Sequence, residues 1–288
     1  MTDLDAFLAQ AWADHADRAT EVAARLPAAL PWVQDDDGVM RLAGLAHHVL
    51  GEHLGLWMEG RAFLERLSEL GLHGAGAAAS IARCQSSLRL CGGSADTGTT
   101  EMNVSDRCRV ASMAAANLAR RDAVRGAKFL DDAVALADVL LDTDPGVRVL
   151  AANGNNMAAT LQELGSRDLP QRALMIRAAQ VARVQWERAG TWLEVERAEY
   201  RLAVCWMAAG EPVQALQHAQ RCDGMVRANG SRPLELFFAG QALCLAARAL
   251  GQSATGAQAL DVARQAFAAL TLDDQAWCRA TLDQLNAG

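Results

Sequence analysis

Three observations predict an all-α protein built from antiparallel helix pairs. Half of the 288 residues are hydrophobic (51%), yet aromatic residues make up only 5%, and alanine supplies much of the apolar count. Only two isoleucines, Ile81 and Ile176, occur, and no stretch alternates apolar and polar residues between turn signals, so strands are not expected. Third, turn residues recur at a near-constant interval, with large and small apolar residues at fixed distances from them. Alanine-rich text of this kind suits helices packed closely on helices.

The clearest stretch is Arg197 to Ala219, RAEYRLAVCWMAAGEPVQALQHA. Leu202, Ala203 and Trp206 share one face of a first helix, Gly210-Glu211-Pro212 turns the chain, and Ala215 and Ala219 lie four apart on the returning helix. Small residues there let two backbones approach closely.

Taken in order, Asp3 to about Leu26 reads as one long helix, stopped by Pro27 and Pro31. Asp35-Asp36-Asp37-Gly38 connects it to a helix from Val39 to His53. That acidic run lacks the ligand spacing of a calcium loop and reads as a solvated helix start. Gly55 begins a turn, Trp57 to Leu70 returns, Gly71 to Gly76 breaks the chain, and Ala77 to Cys91 forms a fourth helix closed by Gly92-Gly93. Gly92 to Thr100, GGSADTGTT, reads as a mobile surface loop. It neither follows a strand nor carries the GK[ST] of a phosphate-binding loop.

From Ser105-Asp106 the text becomes regular. Helices are expected to about Arg120, from Asp122 to Leu141, from Asp144-Pro145 to Leu164, and from Pro170 to Ala189. Thr191, Pro212, Ser231-Pro233, Ala257 and Thr271 open the remaining five, the last a capping helix ending near Leu285. Arg121, Gly165, Gly210 and Gly251 stand at the turns, 44, 45 and 41 residues apart. Met113-Ala114, Met157-Ala158, Leu202-Ala203 and Leu243-Cys244 precede them as large–small pairs, and Gly126, Ala215 and Gly256 follow as small residues. Such constant phase marks stacked helix pairs that hide their apolar flanks on one another.

With those residues the chain resembles the tetratricopeptide repeat (TPR) family, in a long-period variant. LAVCWMAAGEPVQALQHA carries the family's large–small pair, aromatic, turn glycine and small residue. The resemblance is strongest over Arg197 to Arg227 and extends over Asp106 to Leu270. The chain departs from the pattern in its period, in Arg121 at a glycine position and in Pro170 at a small-residue position. The resemblance implies one domain, 1–288, forming a right-handed superhelical solenoid: irregular helices over 1–104, regular repeats over 105–270, and a capping helix over 271–288. It also implies a non-enzymatic interaction module, an adaptor or scaffold that holds a peptide segment on its concave face. Carried onto this chain, that face presents Asn155, Asn156, Arg197, Tyr200, Arg201, Phe238, Gln241 and Arg248. Asn156, Arg197 and Arg201 match part of the carboxylate clamp of chaperone-binding members, whereas its Lys and Asn fall on Cys108 and Ser112.

Independently of the family, Arg197 and Arg201 stand one helical turn apart, and guanidinium forks grip carboxylates bidentately. The expected partner is therefore a protein or peptide, with an acidic or carboxylate group. The competing assignment pairs Arg197 with Glu194 and leaves Arg201 in solvent. An alternative function is a peptide- or small-molecule-sensing regulator of the bacterial type.

Other chemistry finds little support. Net charge is −7, and no basic cluster exceeds Arg120, Arg121 and Arg125, which argues against nucleic acid. MTDLDAFLAQ lacks a signal-peptide pattern and no apolar run reaches membrane-spanning length, so a cytoplasmic protein is expected. Seven cysteines stand singly, without a CxxC pair, and read as reduced thiols. No GxSxG is present, and no enzyme activity or cofactor is expected. His47, His48, Glu52 and His53 form the densest set of metal-capable side chains. His48 and Glu52 share a helix face, but the spacing is not HExxH and His47 and His53 are read as pointing elsewhere. A packing role and no metal are expected. Trp12, Trp57, Trp186, Trp192, Trp206 and Trp277 are assigned to helix interfaces, with Trp192 open to either core or groove.

Overall fold

Side-chain acceptors fix the starts of six helices in this chain. In the computed structural model, which describes residues 3–71, 74–94 and 97–287, Asp35, Asn103, Asp122, Asp144, Asp168 and Thr191 each accept a backbone N–H of the first helical turn. Asp168 with Gln171 and Thr191 with Glu194 complete reciprocal capping boxes. Proline stands in the first turn after Asp144, Asp168, Glu211 and Arg232, where its missing N–H costs nothing.

Fourteen α-helices and no strand occur among the described residues. The chain divides into two compact units, Met1–Leu141 and Asp142–Gly288. The first holds α1 (Asp3–Asp14), α2 (Ala19–Ala29), α3 (Asp36–Ala46), α4 (Trp57–Ser68), α5 (Ala75–Cys91), α6 (Val104–Leu118) and α7 (Ala123–Ala137). A 3₁₀ turn, Leu30–Trp32, follows α2, and a π-helical segment, His47–His53, continues α3. The second unit holds α8 (Pro145–Gln162), α9 (Leu169–Ala189), α10 (Trp192–Ala208), α11 (Pro212–Ala228), α12 (Pro233–Ala249), α13 (Ser253–Ala268) and α14 (Leu272–Ala287).

Several boundaries differ from the sequence expectation. The first long helix is two, because the chain folds back after Asp14. The Asp14 carboxylate is buried and receives Gln10, Arg18 and Arg25, which ties α1 to the start and middle of α2. Pro27 lies inside α2 and does not end it. Asn103, not Ser105, caps α6, and α13 begins at Ser253 rather than Ala257. In the glycine-rich stretch, Ala95 and Asp96 lie outside the described residues; the described ones form no helix, and Gly93 and Gly98 adopt positive φ.

The pairs α6–α7, α8–α9, α10–α11 and α12–α13 pack most heavily, as the repeat phase requires. In the second unit α10 also packs on α8 and on α12, and α14 packs on α12 and α13. First helices of successive pairs therefore stand side by side. Met157, Ala158, Leu202, Ala203 and Cys244 of the large–small pairs are all buried, as are Gly126, Ala215 and Gly256. Gly210 and Gly251 adopt the positive φ that a tight helix–helix turn demands. Arg121 does not; its side chain reaches instead to the backbone of Glu52 and His53.

Backbone proximity within pairs comes from a position that the turn spacing also marks. Gly154 and Gly240 each stand eleven residues before their turn glycines, Gly165 and Gly251. A Cβ on Gly154 would lie 3.0 Å from the Ala178 carbonyl oxygen and 3.3 Å from Ala182 Cβ. A Cβ on Gly240 would lie 3.0 Å from the Ala259 carbonyl oxygen and 3.1 Å from Ala263 Cβ. Both pairs thus meet backbone against backbone. Replacing Gly240 by valine should therefore destabilise the protein by about 1–3 kcal/mol, seen as a lowered thermal midpoint. Gly165→Ala, where an added Cβ meets nothing within 4 Å, should cause no such loss.

Candidate functional site

The pair α10–α11 departs from this glycine pattern and creates the most unusual chemistry of the second unit. Eleven residues before Gly210 stands Glu199, not glycine, and it is buried. Its carboxylate accepts from Arg183 Nε of α9 at 2.9 Å and lies 2.6 Å from His218 Nδ1 of α11. Burial alone would raise its pKa, but the bonds from His218 and Arg183 outweigh that and hold it below the ordinary carboxylate value. The glutamate thus joins three helices with charge where its neighbours use bare backbone.

Two more buried carboxylates stand nearby, Glu196 on α10 and Glu235 on α12. Cys222 Sγ donates to Glu196 Oε1 at 2.8 Å, while Glu196 Oε2 is buried and finds no donor. Burial, with Glu235 adding a like charge, pushes the Glu196 pKa up to about 7. Arg197 Nη2 donates to Glu235 at 2.8 Å. Arg197 is therefore paired across to α12, and not with Glu194, which closes the Thr191 capping box and meets Arg148.

One turn further along α10, Tyr200 donates its hydroxyl hydrogen to Gln241 Oε1 at 3.0 Å. Its ring meets Phe238 edge-on at 5.4 Å, and Phe238 meets Trp277 of α14 at 5.3 Å. Tyr200 and Phe238 are half-buried; Trp277 is 66% exposed. Three rings thus run from α10 across α12 to the last helix, α14, and end in the open.

Of the eight residues expected on this face, Arg197, Tyr200, Phe238 and Gln241 come together on α10 and α12. Arg201 is turned the other way, donating to Gln162 Oε1 of α8 at 3.3 Å, with its Nε buried and unbonded. Asn155 and Asn156 lie on α8, half-buried and exposed respectively, about two turns before Gln162. Arg248 stands apart: it donates to the Leu285 carbonyl at 2.8 Å and caps α14. The aromatic assignments shift as well. Trp277 and Trp12 touch neighbouring elements through Phe238 and His48 but are largely exposed, Trp206 is half-buried, and Trp192 lies under the Arg232 guanidinium at 5.3 Å. Glu196, Glu199 and Glu235 carry no sequence signal of their role, because an acid on a helix reads as a solvent-facing residue until the neighbouring helices are in place.

The chain matches no family model, no curated protein and no solved structure. The site therefore rests on its own geometry.

Among the described residues no helix is long and apolar enough to cross a membrane. All seven cysteines are buried as free thiols. Cys84, Cys91, Cys108 and Cys205 each donate to a backbone carbonyl of an adjacent helix, at 3.4 to 4.0 Å. Burial pushes the Cys84 and Cys205 thiols up to about 12, far from nucleophilic thiolates.

Glu196 gives the site a measurable pH signature. A carboxyl with a higher pKa folded than unfolded holds extra protons in the folded state. Its stabilising contribution is complete below the ordinary value of 4.5 and disappears as pH climbs through about 7. Because buried His47, whose pKa burial lowers to about 4, titrates in the opposite sense, the contribution of Glu196 is read as the difference in urea midpoint between wild type and Glu196→Gln, and it should fall by the equivalent of about 2 kcal/mol between pH 5 and pH 8. Glu196→Gln should stabilise the protein at pH 8.

Proposed function

We propose that the second unit is a peptide-binding interaction module, of the adaptor or scaffold kind, without catalytic chemistry of its own. The observation that carries this reading is the ring series Tyr200–Phe238–Trp277, laid across α10, α12 and α14 with its outer member in solvent. Stiff aromatic rings bury large area at low entropic cost, and an exposed tryptophan beside half-buried rings is the usual make-up of a binding hot spot. The occupant is a peptide segment of a partner protein, with apolar side chains on the rings and a carboxylate near Arg197. That arginine spends one donor on Glu235 while its side chain stays 59% exposed, which leaves donors for a ligand. Chain charge of −7 and the buried acids of α10 and α12 disfavour a polyanionic partner such as nucleic acid.

The test is selection of peptides from a random library by the immobilised full chain, then fluorescence anisotropy on the enriched sequences. Trp277→Ala should weaken binding at least ~10-fold without loss of helicity, since Trp277 contributes little to the core. Arg197→Gln should weaken carboxylate-bearing peptides more than their amidated forms. Enrichment of no peptide, or equal affinity for wild type and Trp277→Ala, overturns the reading.

A further inference from the structure

The histidines of the first unit are brought together by a local change of helix type. In an α-helix, residues five apart point about 140° away from each other. The segment His47–His53 is π-helical, with longer turns, so both Glu52 and His53 come alongside His48. His48 Nε2 and His53 Nε2 stand 3.0 Å apart, a correction to the expectation that His53 points elsewhere. His15, just beyond the end of α1, joins them, and one ligating nitrogen from each of the three rings lies within 4.8 Å of the others. The rings of His15, His48 and His53 are mutually 4.6 to 5.2 Å apart, centroid to centroid.

We propose that His15, His48 and His53 bind a single divalent transition-metal ion of the zinc class, with Glu52 positioning His48 from behind and a fourth coordination place left open. Three features of the cluster are those a metal needs. First, two of the three tautomers, those of His48 and His15, are fixed from outside. Glu52 Oε2 lies 2.9 Å from His48 Nδ1, and the Trp12 carbonyl oxygen lies 2.6 Å from His15 Nδ1. Both oxygens accept, so both Nδ1 atoms donate, and each Nε2 keeps its lone pair for the cluster. A carboxylate behind a ligating histidine is the recurring arrangement at zinc sites. Second, the separations fit: nitrogens about 2.1 Å from a tetrahedral ion stand about 3.4 Å apart, so His48 and His53, 3.0 Å apart, are already near ligand spacing and His15, within 4.8 Å, has at most about 1.4 Å to close. Third, the backbone beneath is braced. Arg121, from the turn between α6 and α7, donates Nη1 to the Glu52 carbonyl at 2.7 Å and Nη2 to the His53 carbonyl at 2.6 Å. Gly55, at φ +67°, leaves the path of that guanidinium clear.

His47 takes no part. It faces the core, with Nε2 at 2.6 Å from Ser87 Oγ and 3.2 Å from the Asn117 amide. The Trp12 ring lies 5.1 Å from His15 and 5.4 Å from His48, covering one side with apolar surface. Imidazole donors suit zinc, copper, nickel and iron, while three neutral nitrogens are a poor match for magnesium or calcium.

The test uses the tag-free full chain, stripped with chelator and dialysed. Zinc is titrated against a chromophoric competitor and cobalt is followed by visible absorption. The expected result is one ion per chain, with d–d bands of four- or five-coordinate cobalt that zinc displaces. His48→Ala and His53→Ala should each lower zinc affinity at least ~100-fold, and Glu52→Gln, which only positions His48, about 10–100-fold with stoichiometry kept. His218→Ala, in the other unit, should change nothing. Circular dichroism confirms that each variant is folded, and the cobalt spectrum of the unaltered chain needs no variant. Absence of stoichiometric uptake by the wild type, or undiminished affinity in the folded His15/His48/His53 triple alanine variant, refutes the site.

Discussion

Close approach of helix backbones is the constraint on which this structure depends. Gly154 meets the Ala178–Ala182 turn of α9, and Gly240 meets the Ala259–Ala263 turn of α13, at distances that would crowd any added side chain. Cysteines serve other seams within each unit, donating to carbonyls of adjacent helices where a larger residue would force the pair apart. A core built this way gains its stability from many short contacts between small groups, since interiors pack at crystal-like density. It has little need of aromatic residues, which frees the few it has for other places. Tyr200, Phe238 and Trp277 stand at one of those places.

In the pair α10–α11 the glycine constraint is relaxed, and the consequence is electrostatic. With Glu199 at the glycine position, the space between helices holds a carboxylate, and a buried carboxylate needs partners. Arg183 and His218 supply them from either side. Glu196 has no ion pair, only the Cys222 thiol, so burial raises its pKa to about 7. The same logic commits Arg197 to Glu235, leaving that arginine to face outward with only part of its donor set. Charge placed in a seam for structural reasons thus sets the electrostatics of the neighbouring face.

In the first unit a different local departure has a comparable reach. The π-helical winding of His47–His53 realigns three potential donors at once, and Arg121 ties down the carbonyls at its end. The arginine at a turn position that elsewhere holds glycine is thereby explained. Its guanidinium serves Glu52 and His53, 69 and 68 residues away in sequence.

The helices and their pairing are legible in the sequence because their causes are local. Asp144-Pro145, Thr191, Gly210 and Gly251 act through the backbone within one turn of themselves, and the large–small pairs recur at a phase that any helix preserves. The meeting of Tyr200 with Phe238 and Gln241 follows from that phase too. Other features depend on the fold. Whether Arg197 reaches Glu194 or Glu235 is decided by a helix 38 residues on, and whether Glu196 keeps its charge is decided by what buries it. The direction of His53 escapes a sequence reading because a 3.6-residue period does not hold in a segment that is not α-helical, and nothing in HHVLGEH announces the wider turn. His15, from another part of the chain, has no sequence signal at all. Local chemistry specifies elements and their spacing; proximity between groups distant in sequence exists only once the chain has packed, and it alone determines which charges pair and which histidines converge.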